Sequence, residues 1–452
     1  MPQSGSLRRR SLLSATTAVT ALGALTLAAA PASAAETRVP CDAAALVAAV
    51  TAANASSEPD TLSLAPNCVY TLTSAADTRW ATGLPPITGK LTINGNHATI
   101  ARAKSAPQFR IIFNRSDLTL NEITITGGHA PDGVGVDSYG KANPGEPGGG
   151  IENWGPLTIS NSAITDNTAG AGAPGTDGTA AAPRAGDGGR GGFGGGISSY
   201  DSGSVPLTIT GSSVTGNTTG VGGRAGNSMG TAPGGQGGTG GFGGGIDVTA
   251  GTALRITGST ITGNSAADGT PGGSGGPEGG GGGDGGSGGS GAGVFYSSDE
   301  GKPLNPVVVD TKISGNRAGK GGDAGVSGPG GYAGWPGYGG RGGGLDVFYD
   351  LLTLDGGTVT DNVAGEPGSG PNPLPASGGG IATLRARVAL TNGAVVSGNR
   401  PDNCDSVADV PGCVNGQRAL GVQRTREAFA LDRQAADVAA AAQAAFSAMS
   451  AR

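Results

Sequence analysis

Apolar positions recur along this chain in a fixed cassette. Each copy opens on a glycine-rich step and one aliphatic residue, passes through two short alternating runs, and closes on asparagine. The first copy reads Gly148-Gly149-Gly150-Ile151, then Leu157-Thr158-Ile159, then Ile164-Thr165-Asp166-Asn167. Later copies open on Ile197, Ile246, Val294, Leu345 and Ile381, and close on Asn217, Asn264, Asn316, Asn362 and Asn399. Period-2 alternation predicts three short strands per copy, as in Gly245-Ile246-Asp247-Val248, Leu254-Arg255-Ile256 and Thr260-Ile261-Thr262. Strands this short cannot bury an apolar face alone. Stacked copy on copy, they enclose a continuous core. The predicted fold is therefore all-β, a right-handed parallel β-helix of roughly eight to ten coils.

The closing triplets fit that reading. Asparagine tolerates left-handed turns and bonds local backbone, and equivalent asparagines can stack as an amide ladder. Asn167, Asn217, Asn264, Asn316, Asn362 and Asn399 are the expected ladder. Two registers stay open. Either Val308 alone or Val307 and Val309 point inward, and Val388, Leu390 and Val395 or Val396 fill the last coil.

Outside the cassettes the pattern changes. Over residues 87–126, Leu91-Thr92-Ile93, Phe109 to Phe113, Leu118-Thr119-Leu120 and Ile123-Thr124-Ile125 read as earlier coils. Asp42 to Asn54 carries Leu46, Val47 and Val50 at helical spacing, which suits a cap over the open end of the stack. After Gly421 alanine dominates, and Leu431, Val438 and Phe446 mark a terminal helix. The expected division is 1–35 export signal, 36–86 cap and first strands, 87–416 β-helix with glycine-rich inserts, and 417–452 helix.

Arg8-Arg9-Arg10, the apolar run from Leu12 and Ala32-Ser33-Ala34 have the form of a cleavable export signal. Arg9-Arg10-Ser11-Leu12-Leu13 also resembles a twin-arginine signal. Secretion is expected, with any membrane association limited to the signal or to loose attachment at the cell surface. Export makes disulfides plausible, and of the three possible pairings the local one is preferred: Cys41 with Cys68, Cys404 with Cys413. The two histidines, His97 and His129, lie beside no cysteine, so no metal site is expected.

Glycine occupies 92 of 452 positions, and much of it lies in inserts of about thirty residues between Asn167 and Ile197 and after the next three closing asparagines. Two readings compete. The inserts either pack as extended, polyproline-II-like strands leaving one corner of successive coils, or form flexible fringes. Their similar length favours partial order. Asp177, Asp187, Asp268, Asp284 and Asp323 sit among the glycines without the spacing of a calcium-binding nonapeptide or EF-hand, and read as solvated turn residues. Phe193 and Phe242 precede equivalent glycine triplets and are expected to pack between coils. Tyr332, Trp335 and Tyr338 form a local aromatic cluster, suited either to loop packing or to stacking on sugars. A net charge of −6 gives no reason to expect nucleic acid.

Leu254-Arg255-Ile256 with Ile261-Thr262-Gly263-Asn264, repeated over roughly residues 60–416, resembles the right-handed β-helices of the pectate-lyase-like superfamily, and the coils resemble polymorphic outer-membrane protein repeats. Asn403-Cys404 to Cys413 resembles a recurring end of such exported proteins. The superfamily includes pectate lyases, polygalacturonases, alginate-modifying enzymes, phage tailspikes and adhesins. Its enzymes imply clustered carboxylates. Asp166 and Asp361 occupy equivalent turns far apart, and Arg255, Lys312, Arg385 and Arg387 lack an acidic cluster. No catalytic, cofactor-binding or metal-binding residue carries over. The leading expectation is an exported structural or surface-interaction protein, with extracellular polysaccharide or a surface protein as its partner class. The alternatives are a polysaccharide lyase or hydrolase, which rests on fold analogy, and an ice-binding or templating array, suggested by the Thr-x-Asn rows.

Overall fold

The computed structural model describes residues 36–137, 141–200 and 205–415. The export signal and the C-terminal helix read from the sequence lie outside the described residues. Strand pairing between successive coils is parallel throughout, in one 17-stranded and one 7-stranded sheet. This is the right-handed parallel β-helix that the cassette spacing predicts.

Register follows the apolar columns. Ile159 pairs with Ile209, Ile209 with Ile256, Ile256 with Val308, and Val308 with Leu354. All five are buried inside the tube. Val308 alone therefore faces inward, while Val307 and Val309 are half-exposed. In the last coil Val388 and Leu390 continue the columns of Leu352 and Leu354, and Val396, paired with Val359, faces the interior in place of Val395, which is 46% exposed.

At the first end, the helix Ala43–Ala55 starts on Asp42, whose carboxylate accepts the Ala44 N–H at 2.9 Å. It buries Leu46, Val50 and Ala53 against the first coil. Cys41–Cys68 ties the helix start to that coil, and Cys404–Cys413 closes the loop at the far end. Strand Glu36–Val39 adds a further rung on Asp60–Leu64.

At the closing turn the asparagines are fully buried from Asn167 to Asn362. Each Nδ2 donates to the Oδ1 of the next: Asn167 to Asn217 at 3.0 Å, Asn217 to Asn264 at 3.0 Å, Asn264 to Asn316 at 3.0 Å, Asn316 to Asn362 at 2.9 Å, and Asn362 to Asn399 at 2.9 Å. The same Oδ1 also accepts the backbone N–H of the preceding asparagine, for example Asn217 N–H to Asn264 at 3.0 Å. Asn403 carries the column one step past Asn399.

The inserts are ordered. Each leaves the asparagine corner, runs outward, turns, and runs back to the next glycine triplet. Gly186, Gly189 and Gly192 on the first returning strand donate to Thr176, Ala173 and Gly170 on the outgoing one. Gly172, Gly175 and Gly178 donate to Val221, Arg224 and Asn227 of the next insert's outgoing strand. Gly188, Gly191 and Gly194 donate to Gln236, Thr239 and Phe242 of its returning strand. The bonds recur every third residue, the period of a polyproline-II strand, which makes no internal hydrogen bonds. The result is a two-layer bundle, with outgoing strands in one layer and returning strands in the other. Shorter strands at 131–137 and 141–148 begin it, with Gly133 donating to Ala171 and Gly145 to Arg190.

Candidate functional site

The bundle is held backbone against backbone. A Cβ on Gly220 would stand 1.7 Å from the Gly170 carbonyl oxygen, and one on Gly223 1.9 Å from that of Ala173. Only one position in three points away from the neighbouring strands, and that position carries side chains. On the returning layer the series runs Asp187 and Arg190, then Gln236 and Thr239, then Gly281, Asp284 and Ser287, then Tyr332, Trp335 and Tyr338. The sequence signal was present as Gly-Gly-x triplets, as in Gly234-Gly235-Gln236-Gly237-Gly238-Thr239. A search for side-chain ladders passes over it, because the contacts are between carbonyls and N–H groups.

The insert aspartates are exposed or half-exposed to solvent, in keeping with the solvated residues expected, and each also makes a bond that the sequence does not show. Each accepts a backbone N–H from the next coil's strand: Asp177 from Asn227 at 2.8 Å, Asp187 from Gln236 at 2.8 Å, Asp268 from Lys320 at 2.6 Å, Asp284 from Trp335 at 2.8 Å, and Asp323 from Ser369 at 2.7 Å. They supply acceptors for N–H groups that the threefold strand does not pair itself. Among the described residues no group of three or more His, Cys, Asp or Glu is placed to hold a metal ion.

A second core lies outside the tube, where the returning strands end on the smaller sheet. The first glycine of each triplet has positive φ, 65° at Gly148 and 69° at Gly243, which turns the strand down onto the residue after the opening aliphatic. A Cβ on Gly148 would stand 2.7 Å from Glu152 Oε2, and one on Gly243 2.6 Å from the Asp247 Cβ. Phe193, Phe242, Phe295 and Phe348 stack here with ring centroids 5.3, 5.1 and 5.2 Å apart. The glycine strands seal Glu152, Asp247 and Asp346, all 2% exposed or less. Strand alternation turns these residues to the outside of the tube, where the glycine strands cover them.

Their chemistry is that of buried acids. Burial pushes Glu152 up to about 7 against the opposing pull of Arg110 and the Trp154 Nε1–H bond at 2.8 Å. Burial raises Asp247 strongly, although Ser198 donates to it at 3.2 Å. Asp346 is pushed to about 6 and Asp405 to about 7, with Arg341 shared between them at 3.0 and 3.8 Å. Raised folded-state values mean that the native chain binds more protons than the unfolded one between the ordinary carboxyl range and about pH 7. Stability is therefore expected to fall as pH rises through that window and to level off above it. Asp177 and Asp323 are shifted downward and act in the opposite sense, but both are exposed to solvent and contribute little. Glu152→Gln should flatten part of the slope in unfolding midpoints measured across the window. An unchanged slope would show that Glu152 does not titrate there.

The other candidates stay apart. Asp166 and Asp361 are exposed left-handed turn residues with φ of 53° and 57°. Arg385 is exposed and pairs with Glu300 at 3.3 Å. His129 approaches Gln108 at 3.3 Å and Asp132 at 4.0 Å. The asparagine row, being buried, presents nothing to an external lattice. No described helix is long and apolar enough to cross a membrane.

No family model matches the chain, and no curated protein matches it. Among solved structures it is similar to the A-module of mannuronan C-5 epimerase AlgE6 from Azotobacter vinelandii, with 12% identity and a TM-score of 0.24, covering 79% of this chain and 92% of that one. It is also similar to an endo-xylogalacturonan hydrolase from Aspergillus tubingensis, with 12% identity and a TM-score of 0.25, covering 86% of this chain and 98% of that one. At that level neither likeness carries an argument about activity.

Proposed function

We propose that the chain is an exported, non-enzymatic surface-interaction protein of pectate-lyase-like architecture, whose glycine bundle is the interacting part. The observation that carries this reading is the bundle's outward positions. Every third residue of several parallel strands projects from a hydrogen-bonded backbone layer, and these positions hold varied polar and aromatic groups. A preorganised face loses little conformational entropy on binding. Secretion follows from the signal-like first 35 residues. The partner class is extracellular polysaccharide or a surface protein.

A polysaccharide lyase or hydrolase is the second reading, favoured by one observation. Glu152, held near pH 7, sits beside the buried Arg110, with Trp80 and Trp154 packed edge-on at 5.8 Å. General acid–base chemistry needs a second group open to the same substrate, and the Glu152 carboxyl lies beneath the Gly148 turn. The test is a screen of the secreted protein against acidic and neutral polysaccharides, with and without calcium. Retention and product formation, as reducing ends or unsaturated sugars, are both read. Retention without products is expected. Turnover that Glu152→Gln abolishes would replace this reading with the second.

A further inference from the structure

The fourth returning strand differs from the others in carrying aromatic side chains at three successive outward positions. Tyr332, Trp335 and Tyr338 are the residues whose carbonyls accept Gly282, Gly285 and Gly288 N–H groups, each at 2.8 Å. Equivalent bonds at three-residue intervals put the three rings on one side of the strand. A polyproline-II rise of about 3.1 Å per residue spaces them about 9 Å apart. That is close to the span of one disaccharide in an extended β-linked chain. Tyr332 is 89% exposed and Trp335 57%, and they are the exposed large aromatics among the described residues. Loop packing, the plain reading of the cluster, would have covered them.

The surroundings suit a sugar chain lying along the row. The neighbouring strand presents Gly281, Asp284 and Ser287, none tall enough to block the ring faces. Asp284 Oδ1 accepts the Trp335 N–H at 2.8 Å, which fixes a carboxylate beside the indole as an acceptor for sugar hydroxyls. Charge selects among glycans. Beside the three rings the neighbouring strand carries Asp284 and no cation; Arg341, next in the aromatic series, is buried and paired with Asp346 at 3.0 Å, and the whole chain is net negative at −6. Uronate polymers would be repelled. Aromatic faces are electron-rich and attract the weakly positive C–H face of a neutral sugar ring.

We propose that Tyr332, Trp335 and Tyr338 form a stacking row for an extended, uncharged, β-linked polysaccharide. This rests on the bundle being the interacting part of the protein and names its ligand class. The experiment is affinity electrophoresis of the full secreted chain in gels containing hydroxyethylcellulose or polygalacturonate. Wild-type protein is expected to be retarded by hydroxyethylcellulose and not by polygalacturonate. The double substitution Tyr332→Ala with Trp335→Ala should weaken retardation at least tenfold. Val326→Ala, an exposed outward position on the opposite layer, should leave it unchanged. Unfolding midpoints equal to wild type show that both variants fold. Three results would overturn the row: no wild-type retardation by hydroxyethylcellulose, retardation by polygalacturonate instead, or equal retardation of the double variant. The last would leave the bundle as an interaction surface with its glycan contact elsewhere. Sugar products in the same gels would sink the non-enzymatic reading and leave the row standing.

Discussion

Gly282→Ala should destabilise the bundle by about 3 kcal/mol, the upper range for forcing extra atoms into a packed interior. Gly281→Ala, one residue earlier, should leave stability unchanged or raise it by about 0.5 kcal/mol. The two glycines occupy different positions of the same threefold strand. A Cβ on Gly282 would stand 1.9 Å from the Gly325 carbonyl oxygen, which belongs to a backbone fixed by its own bonds. That strand must move away, and the bonds at Gly283 and Gly325 move with it. At Gly281 the nearest atom to an added Cβ is the Tyr332 carbonyl oxygen at 3.4 Å, an ordinary contact. Alanine there also narrows the unfolded ensemble. Urea unfolding, with limited proteolysis across 267–289 as a local probe, distinguishes the two. Equal tolerance of both substitutions would mean that the inserts are not close-packed.

Asn264→Leu should cost about 4 kcal/mol, near the top of the range for single substitutions. Leucine fills similar space but makes none of the amide's bonds. Asn264 Oδ1 accepts both the Asn217 N–H and the Asn217 Nδ2, each at 3.0 Å. Its Nδ2 donates to Val214 O and to Asn316 Oδ1, each at 3.0 Å. Removing it strands several buried groups in a dry turn, where an unpaired donor or acceptor costs about 1–3 kcal/mol. At Asn399, near the end of the column and 7% exposed, the same change should cost about half as much, because nearby water can satisfy part of the loss. Thermal unfolding of the two variants tests the gradient. A smaller loss at Asn264 than at Asn399 would contradict a ladder held by its interior members.

The tube was legible because its signal lies in side chains. The Ile, Leu and Val columns fix the coil, and the recurring asparagine fixes where one coil ends. Even the unsettled register at 306–309 was narrowed to two choices by the same alternation. The bundle was only half legible. Equal insert lengths pointed to common placement, yet Gly-Gly-x is a backbone code, and its partner atoms are carbonyls that every residue possesses. The same blindness hid the buried acids. Glu152, Asp247 and Asp346 follow an inward aliphatic and so read as solvent-facing, since nothing in a run of glycines advertises that it covers another surface. The aspartates of the inserts face solvent as their setting among glycines suggests, but half of their role was hidden. Their acceptor role becomes visible only once the next coil's N–H is known to lie beside them.

The glycine-rich inserts form a hydrogen-bonded, threefold-periodic bundle. Amide hydrogen exchange resolved to single residues tests it most directly. Protection should recur in two interleaved three-residue series, Gly186, Gly189 and Gly192 with Gly188, Gly191 and Gly194, and again at Gly235, Gly238 and Gly241 with Gly234, Gly237 and Gly240, all of whose N–H groups donate to neighbouring strands. Tip residues such as Arg184 and Thr231, which are exposed, should exchange fast. Exchange at free-peptide rates through 170–192 and 220–241, with protection confined to the cassette strands, would contradict the account.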